Sequence, residues 1–338
     1  MADHSRSPTF ARLHIDRRAV IMPSIMKTPI IVIVGCTASG KSELAEALAA
    51  WPTARGQPTT IMAVDSMQVY RGMDIGTAKP DREVRQRIKH LMIDVADPWE
   101  TFSAARFVQL AGPMLEEHRR GHQPLILATG TVLYLRALLE GLFAGPASDA
   151  AFRTALQTRS TQEGTASLHR ELQEVDAAAA EKIHPNDLRR IIRALEVFHA
   201  TGRPISELQT QWSARPGDDS ILWIGIRRSR EDLNGRINRR VKAMITAGLV
   251  AEVQALAAGD KTLSAEAASA VGYRQILDYL SGGCTLEDAT EAIKIKTRHL
   301  AKLQRTWLKR FSSIHWLEPG PHQSGADMLP AVLQWLKS

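Results

Sequence analysis

Pro29-Ile-Ile-Val-Ile-Val34, followed by Gly35-Cys-Thr-Ala-Ser-Gly40-Lys41-Ser42, is the most informative stretch of the chain. An unbroken run of β-branched residues without polar alternation predicts a short strand buried on both faces, the habit of parallel sheets covered by helices. Gly35 ends that run, and Lys41 to Ala50 is a string of good helix formers. A glycine loop between strand and helix in the spacing G-x-x-x-x-G-K-S is a phosphate cradle. Gly35 and Gly40 let backbone N–H groups turn inward, the helix N-terminus and Lys41 add positive charge, and the Ser42 hydroxyl can ligate Mg²⁺. Residues Gly35, Cys36, Thr37, Ala38, Ser39, Gly40, Lys41 and Ser42 are therefore read as a diphosphate- or nucleotide-binding loop.

Further strands follow the same logic. Thr59 to Val64 reads as a second strand delivering Asp65, and Pro124 to Ala128 as a third delivering Thr129-Gly130-Thr131, with a helix from Leu133 to Leu142. Strands alternating with helices imply parallel pairing and an α/β architecture. From about Ala144 to Trp212 the pattern turns helical, with turn signals at Gly145-Pro146, His184-Pro185-Asn186 and Gly202-Arg203-Pro204. A buried strand returns at Ile221 to Ile226, before helices at Glu231 to Ala247, Leu249 to Ala258 and Leu286 to Phe311. The expected organisation is an extension at 1–27, poorly ordered, the first part of the α/β core at 28–143, an all-helical insertion at 144–215, and the rest of the core with basic helices at 216–338.

Composition narrows the function. The chain has 338 residues, 44% hydrophobic and 23% charged, as in an ordinary globular protein. Its two cysteines, Cys36 and Cys284, are far apart and outside any metal-ligand spacing, which argues against a disulfide scaffold or a zinc site. Lys and Arg outnumber Asp and Glu 43 to 36, for a net charge of +7, so a polyanionic partner is favoured. The stretch from Ala292 to Phe311 concentrates this, with Lys294, Lys296, Arg298, Lys302, Arg305, Lys309, Arg310 and no acid. Seven cations along a helix of about 30 Å suit a phosphate backbone. Residues 1–27 are interrupted by Asp3, Arg6, Arg12, Asp16, Arg17 and Arg18 and contain no signal-peptide core. Nowhere does an apolar run reach the roughly 18 residues of a membrane span. A cytoplasmic protein without membrane attachment is expected.

Asp65 stands where open parallel sheets collect their ligands, at the carboxyl end of a strand. A carboxylate there can accept a proton or hold a metal through water, while Ser66 and Gln68 read equally well as a hydrogen-bonded turn. By itself the phosphate loop predicts a nucleotide kinase or NTPase.

Beyond the loop, Asp65-Ser-Met-Gln-Val-Tyr-Arg-Gly-Met-Asp-Ile-Gly-Thr-Ala-Lys-Pro80 and His90-Leu-Met-Ile-Asp94 with Asp97-Pro98 form a larger signature. Thr129-Gly-Thr-Val-Leu-Tyr134, Ile183-His-Pro-Asn-Asp187, Arg193-Ala-Leu-Glu-Val197 and Val271-Gly-Tyr-Arg-Gln275 extend it. Together these resemble the tRNA dimethylallyltransferase (tRNA isopentenyltransferase) family over roughly residues 28 to 317. The resemblance implies a P-loop kinase-like parallel sheet flanked by helices, with an all-helical insertion domain that clasps the anticodon stem-loop. It also implies a monomer that uses Mg²⁺ and dimethylallyl diphosphate to prenylate N6 of the adenosine 3′ of the anticodon in tRNAs reading codons that begin with U.

Residue by residue, the family pattern makes Asp65 the general base and has Thr131 orient the amine. It gives Lys41 and Arg230 to the diphosphate, and the metal to Ser42. The implied tRNA contacts are Asp65, Ser66, Met67, Gln68, Thr131, Arg153, Arg189, Arg190, Ile191, Ile192, Arg193, Gly272, Tyr273 and Arg274; the spaced arginines at 189, 190 and 193 also read as a solvated helix face. Departures from the family are Cys36 for proline, Thr129 for the first glycine of a Gly-Gly-Thr turn, Phe102 for tyrosine and Ser269 for a basic or polar residue. Two other classes stay open on the sequence: an ATP-dependent small-molecule kinase on the same loop, and a non-catalytic RNA-binding module.

Overall fold

The computed structural model describes residues 30–51, 58–143, 145–209, 221–311 and 313–336. The expected extension at 1–27 and the domain boundaries near 144 and 215 lie outside those residues. The strands are β1 (Ile30–Gly35), β2 (Thr60–Val64), β3 (His90–Leu91), β4 (Leu125–Thr129), β5 (Ile221–Ile226) and β6 (His315–Leu317). Among the described residues they form one sheet in the order β3-β2-β4-β1-β5-β6, with every pairing parallel.

All six residues of β1 are buried, because side chains alternate between two cores. Ile30, Val32 and Val34 enter one, and Ile31 and Ile33 enter the other. The second core is closed by Leu44, Ala45 and Leu48 of α1 (Lys41–Ala49). Between β2 and β4 come α2 (Arg82–Arg87) and α3 (Ala104–Arg120), and β4 leads into α4 (Val132–Glu140). In-register pairing of Gly35 with Ile226 and of Val64 with Thr129 brings the carboxyl ends of β1, β2, β4 and β5 to one edge. That edge carries the site.

Two strands were not legible. β3 has two residues and β6 three, too short for any periodicity, so the run read as the third strand is the fourth. The segment expected to be helical contains α5 (Ala150–Glu163), α6 (Thr165–Val175), α7 (Ala177–Lys182), α8 (Leu188–Thr201) and α9 (Ile205–Leu208). Leu156, Leu168, Leu172, Ile191, Ile192, Leu195 and Ile205 give it an apolar core of its own. At its edge the Glu196 carboxylate, 1% exposed, takes a two-pronged bond from Arg153 at 2.7 and 2.8 Å, a third from Arg193 at 2.5 Å and a fourth from the Asp149 N–H at 2.8 Å. Arg193 also bonds the carbonyl of Pro146, tying α8 to the incoming connection.

After β5 come α10 (Arg230–Thr246), α11 (Leu249–Ala257), α12 (Ala265–Ala268), α13 (Tyr273–Leu280) and α14 (Leu286–Leu308). The last segment adds β6, a 3-10 turn (Ala326–Met328) and α15 (Leu329–Trp335), whose Val332 packs beside α1 in the second core.

Candidate active site

A cleft of about 590 Å³ opens over the carboxyl edge of the sheet, lined by the loop from Thr37 to Glu43, by Asp65, Met67 and Gln68, by Gly130 and Thr131, and by arginines of α10. Gly40 caps α1 with φ 103° and Ala38 has φ 62°, the left-handed conformations that turn loop N–H groups inward. The first N–H groups of α1 have no partner inside the helix and are free for an anion. Lys41 folds back to donate to the Cys36 carbonyl at 2.7 Å. Burial pulls its pKa from 10.5 down to about 8, opposed by Cys36 and Asp65 and reinforced by Arg240. The Ser39 hydroxyl is buried without a partner inside the cradle, and Ser42 is exposed on the cleft wall.

Across the cleft, Asp65 follows β2. Its Oδ1 accepts from the N–H groups of Met67 at 2.8 Å and Gln68 at 3.3 Å, which fixes the carboxylate plane. A side chain at position 130 would collide with Oδ2, so Gly130 is what lets the carboxylate lie on the cleft floor. The Thr131 hydroxyl accepts from the Ser66 N–H at 3.0 Å and donates to the Ser66 hydroxyl at 3.1 Å. Beyond it the loop to Pro80 is held from outside. Glu252 of α11 accepts from the N–H groups of Asp74, Ile75 and Gly76 at 3.0, 2.7 and 3.2 Å and from the Tyr273 hydroxyl at 2.5 Å. Lys79, its side chain 1% exposed, bonds Asp74 and Asp94 at 2.7 and 2.6 Å.

The cationic wall differs from expectation. Arg230 is exposed at the first position of α10 and does not line the cleft; Arg236, Arg239 and Arg240, two to three turns along, do. Arg236 donates to the Ala38 carbonyl at 2.8 Å and Arg240 to the Thr37 hydroxyl at 3.2 Å. Burial lowers the Arg240 pKa, with Asp65 opposing. A helix starting at the sheet edge turns its first residue to solvent and only later residues over the cradle. The four-residue spacing of Arg236 and Arg240 was the available signal. Gln304 of α14 had none: its Oε1 accepts from the Thr37 N–H at 2.8 Å and its Nε2 donates to the Gly130 carbonyl at 2.7 Å.

Other expected residues fall in several places. Cys36 contributes only its carbonyl, since its Sγ turns away to the Ala301 carbonyl at 3.3 Å. Ile191 and Ile192 are 0% and 5% exposed, so their side chains anchor α8 and offer an RNA no surface. Arg189 and Arg190 are exposed, whereas Arg153 and Arg193 are engaged by Glu196. Gly272 caps α13, its N–H bonded to Gln275; Tyr273 is buried on Glu252, and Arg274 is exposed beside Asp278. Two of the seven cations between Ala292 and Phe311 are not on offer. Lys294 is buried against Glu291, and Arg298 bonds Asn238 at 2.6 Å. Among the departures, Phe102 is buried, Ser269 is exposed, and the Thr129 hydroxyl is buried without a partner.

An anion cradle and a carboxylate face each other across one cleft, on a parallel sheet entered through a glycine loop, and the class of protein that the comparisons put beside this layout is a transferase. Residues 68–311 match the IPP transferase family. The tRNA dimethylallyltransferase of Geobacter sulfurreducens is 44% identical over 293 residues, covering 86% of this chain and 92% of that protein. That of Acetivibrio thermocellus is 40% identical over 308 residues, 91% and 97% of the two. Among solved structures, the full-length tRNA isopentenylpyrophosphate transferase of Bacillus halodurans superposes with a TM-score of 0.63 at 33% identity, covering 91% of this chain and 95% of that one. A eukaryotic dimethylallyltransferase acting on tRNA gives 0.69 at 27%, covering 86% and 73%. The chain belongs to the IPP transferase family.

Proposed function

We propose that the protein transfers the dimethylallyl group of dimethylallyl diphosphate to N6 of the adenosine 3′-adjacent to the anticodon, in tRNAs reading codons that begin with U. The observation that carries this reading is the opposition of the cradle at Gly40 to Ser42, walled by Arg236 and Arg240, to the Asp65 carboxylate in one cleft. An exocyclic adenine amine is a poor nucleophile, so the reaction needs a group to accept its proton and a leaving group whose charge is already met. Asp65, fixed by two N–H groups, takes the proton as N6 bonds the allylic carbon. The carbon–oxygen bond breaks, and diphosphate keeps the electron pair among the α1 N–H groups, Lys41 and the arginines. Backbone amides recognise phosphate oxygens and ignore adenine, so nothing in the cradle itself requires ATP.

The cleft fits a magnesium ion carried mainly by phosphate. Ser42 offers one hard oxygen at the cleft wall, and among the described residues no group of three or more His, Cys, Asp or Glu could cage a metal. Mg²⁺ held by Ser42 and the diphosphate would offset charge on the leaving group.

Exposed cations at Arg189 and Arg190 and along α14 support contact with the anticodon stem-loop, around which the helical block would close; the target base would be flipped into the cleft. Action on tRNA would place the protein in the cytoplasm; among the described residues no helix is long and apolar enough to cross a membrane. The relatives, named tRNA dimethylallyltransferases over most of the chain, give the kinase reading no support. Incubation with labelled dimethylallyl diphosphate and undermodified tRNA, followed by nucleoside analysis, tests the proposal. Label in N6-isopentenyladenosine is the expected result; a phosphorylated small molecule made from ATP without tRNA would overturn it.

A further inference from the structure

The phosphate loop is held from behind by a part of the chain that lies beyond the family match. Arg228, just after β5, has a fully buried guanidinium whose charge is met by the nearly buried Asp232 at 2.8 Å. Its Nε donates to the Ser39 carbonyl at 2.8 Å, while Nη1 and Nη2 reach the carbonyls of Gly320 at 3.2 Å and Gln323 at 2.7 Å. The same C-terminal turn grips the start of α1, where the Gly325 N–H donates to Glu43 Oε2 at 2.5 Å. Glu43 in turn lies 3.5 Å from Arg236 of the cleft wall. Contact between the turn and the loop is backbone to backbone: a Cβ at position 325 would strike the Gly40 carbonyl and the Leu44 nitrogen. Gly320 to Gly325 come after residue 311, where the family match ends.

From these contacts we infer that Arg228 and the turn from Gly320 to Gly325 act as a positioning clasp. They set the path of Ser39 to Ser42, and with it the aim of the N–H groups that receive the donor's diphosphate. The inference rests on the diphosphate reading given above. Arg228 touches no substrate. Its fork spans three carbonyls that a single ammonium cannot reach together, so its role is geometric and Lys does not replace it. Loss of the clasp lets the cradle drift, which weakens donor binding and leaves the tRNA surface as it was.

Two variants test this in the full-length protein with Mg²⁺. Arg228→Lys keeps the charge and removes the fork. Gly325→Ala keeps Arg228 and, at a helical φ of −62° open to alanine, pushes on the start of α1 at the Gly40 carbonyl, the Glu43 Cβ and the Leu44 nitrogen. Each is expected to raise the KM for dimethylallyl diphosphate and the Kd for inorganic pyrophosphate by on the order of tenfold to a hundredfold, with the tRNA KM within about twofold of wild type. The double variant should do little more than either single one, since both act through the same loop. Unchanged pyrophosphate binding in folded variants, or donor and tRNA KM rising together, would overturn the clasp alone. A wild-type protein that binds no pyrophosphate would overturn the donor-site reading and this inference with it.

Discussion

Asp65 and Lys41 divide the chemistry between them. Replacing Asp65 with Asn keeps the oxygen that accepts from Met67 and Gln68 but leaves nothing to take the N6 proton. The kcat of Asp65→Asn should fall by about 10² to 10⁴ while pyrophosphate still binds, as rapid-quench turnover beside calorimetry will register. Lys41 makes a pH prediction. With its pKa at about 8, the side chain becomes neutral as pH rises through that value, whereas an unfolded lysine keeps its proton to 10.5. Burying the charged form therefore costs stability below about 8, and the cost fades as pH rises toward 10.5. Diphosphate binding restores the charge, so affinity should fall as pH climbs through 8, with proton uptake of up to one per site. Calorimetry in buffers of different ionisation enthalpy reads that uptake, and in Lys41→Met it should vanish.

Within the helical block, the knot of Glu196, Arg153 and Arg193 carries a stability prediction. Burial alone would raise the Glu196 pKa, but the bonds from Arg153, Arg193 and the Asp149 N–H outweigh it and hold the pKa at about 2. That stabilisation is complete above the ordinary glutamate pKa of 4.5 and is lost as pH falls toward 2. Glu196→Gln leaves two guanidiniums without their anion and should destabilise the block by about 3 kcal/mol, measurable as a lower urea midpoint at pH 7 and a much smaller difference near pH 2. If Arg153 and Arg193 serve tRNA as the family pattern implies, they do so while bound to Glu196, and a phosphate would share them with that carboxylate.

Across the whole molecule, association with tRNA depends on which cations face outward. Along α14, Lys296, Lys302 and Arg305 are exposed, whereas Lys294 is spent on Glu291 and Arg298 on Asn238. Lys302→Ala should flatten the dependence of log affinity on log salt by about one unit, and Lys294→Ala should leave that slope unchanged; filter binding from low to high salt distinguishes them. The count of seven cations in the sequence thus overstated the surface, because a helical face is chosen by packing and not by composition.

How much was legible follows from the range of the interactions involved. The phosphate loop, Asp65 at a strand end, the parallel sheet and the helical block each depend on a few consecutive residues whose sterics, polarity or periodicity settle local conformation, so they could be read directly. The two-ended bond of Gln304, the grip of Glu252 on residues 74 to 76 and the reach of Arg228 to Gln323 could not. These three join positions roughly 90 to 270 apart in the chain. A buried carbonyl or N–H accepts whichever partner the fold delivers to it, and that choice leaves no local pattern; it exists only once sheet, helices and C-terminal turn have closed around the same cleft.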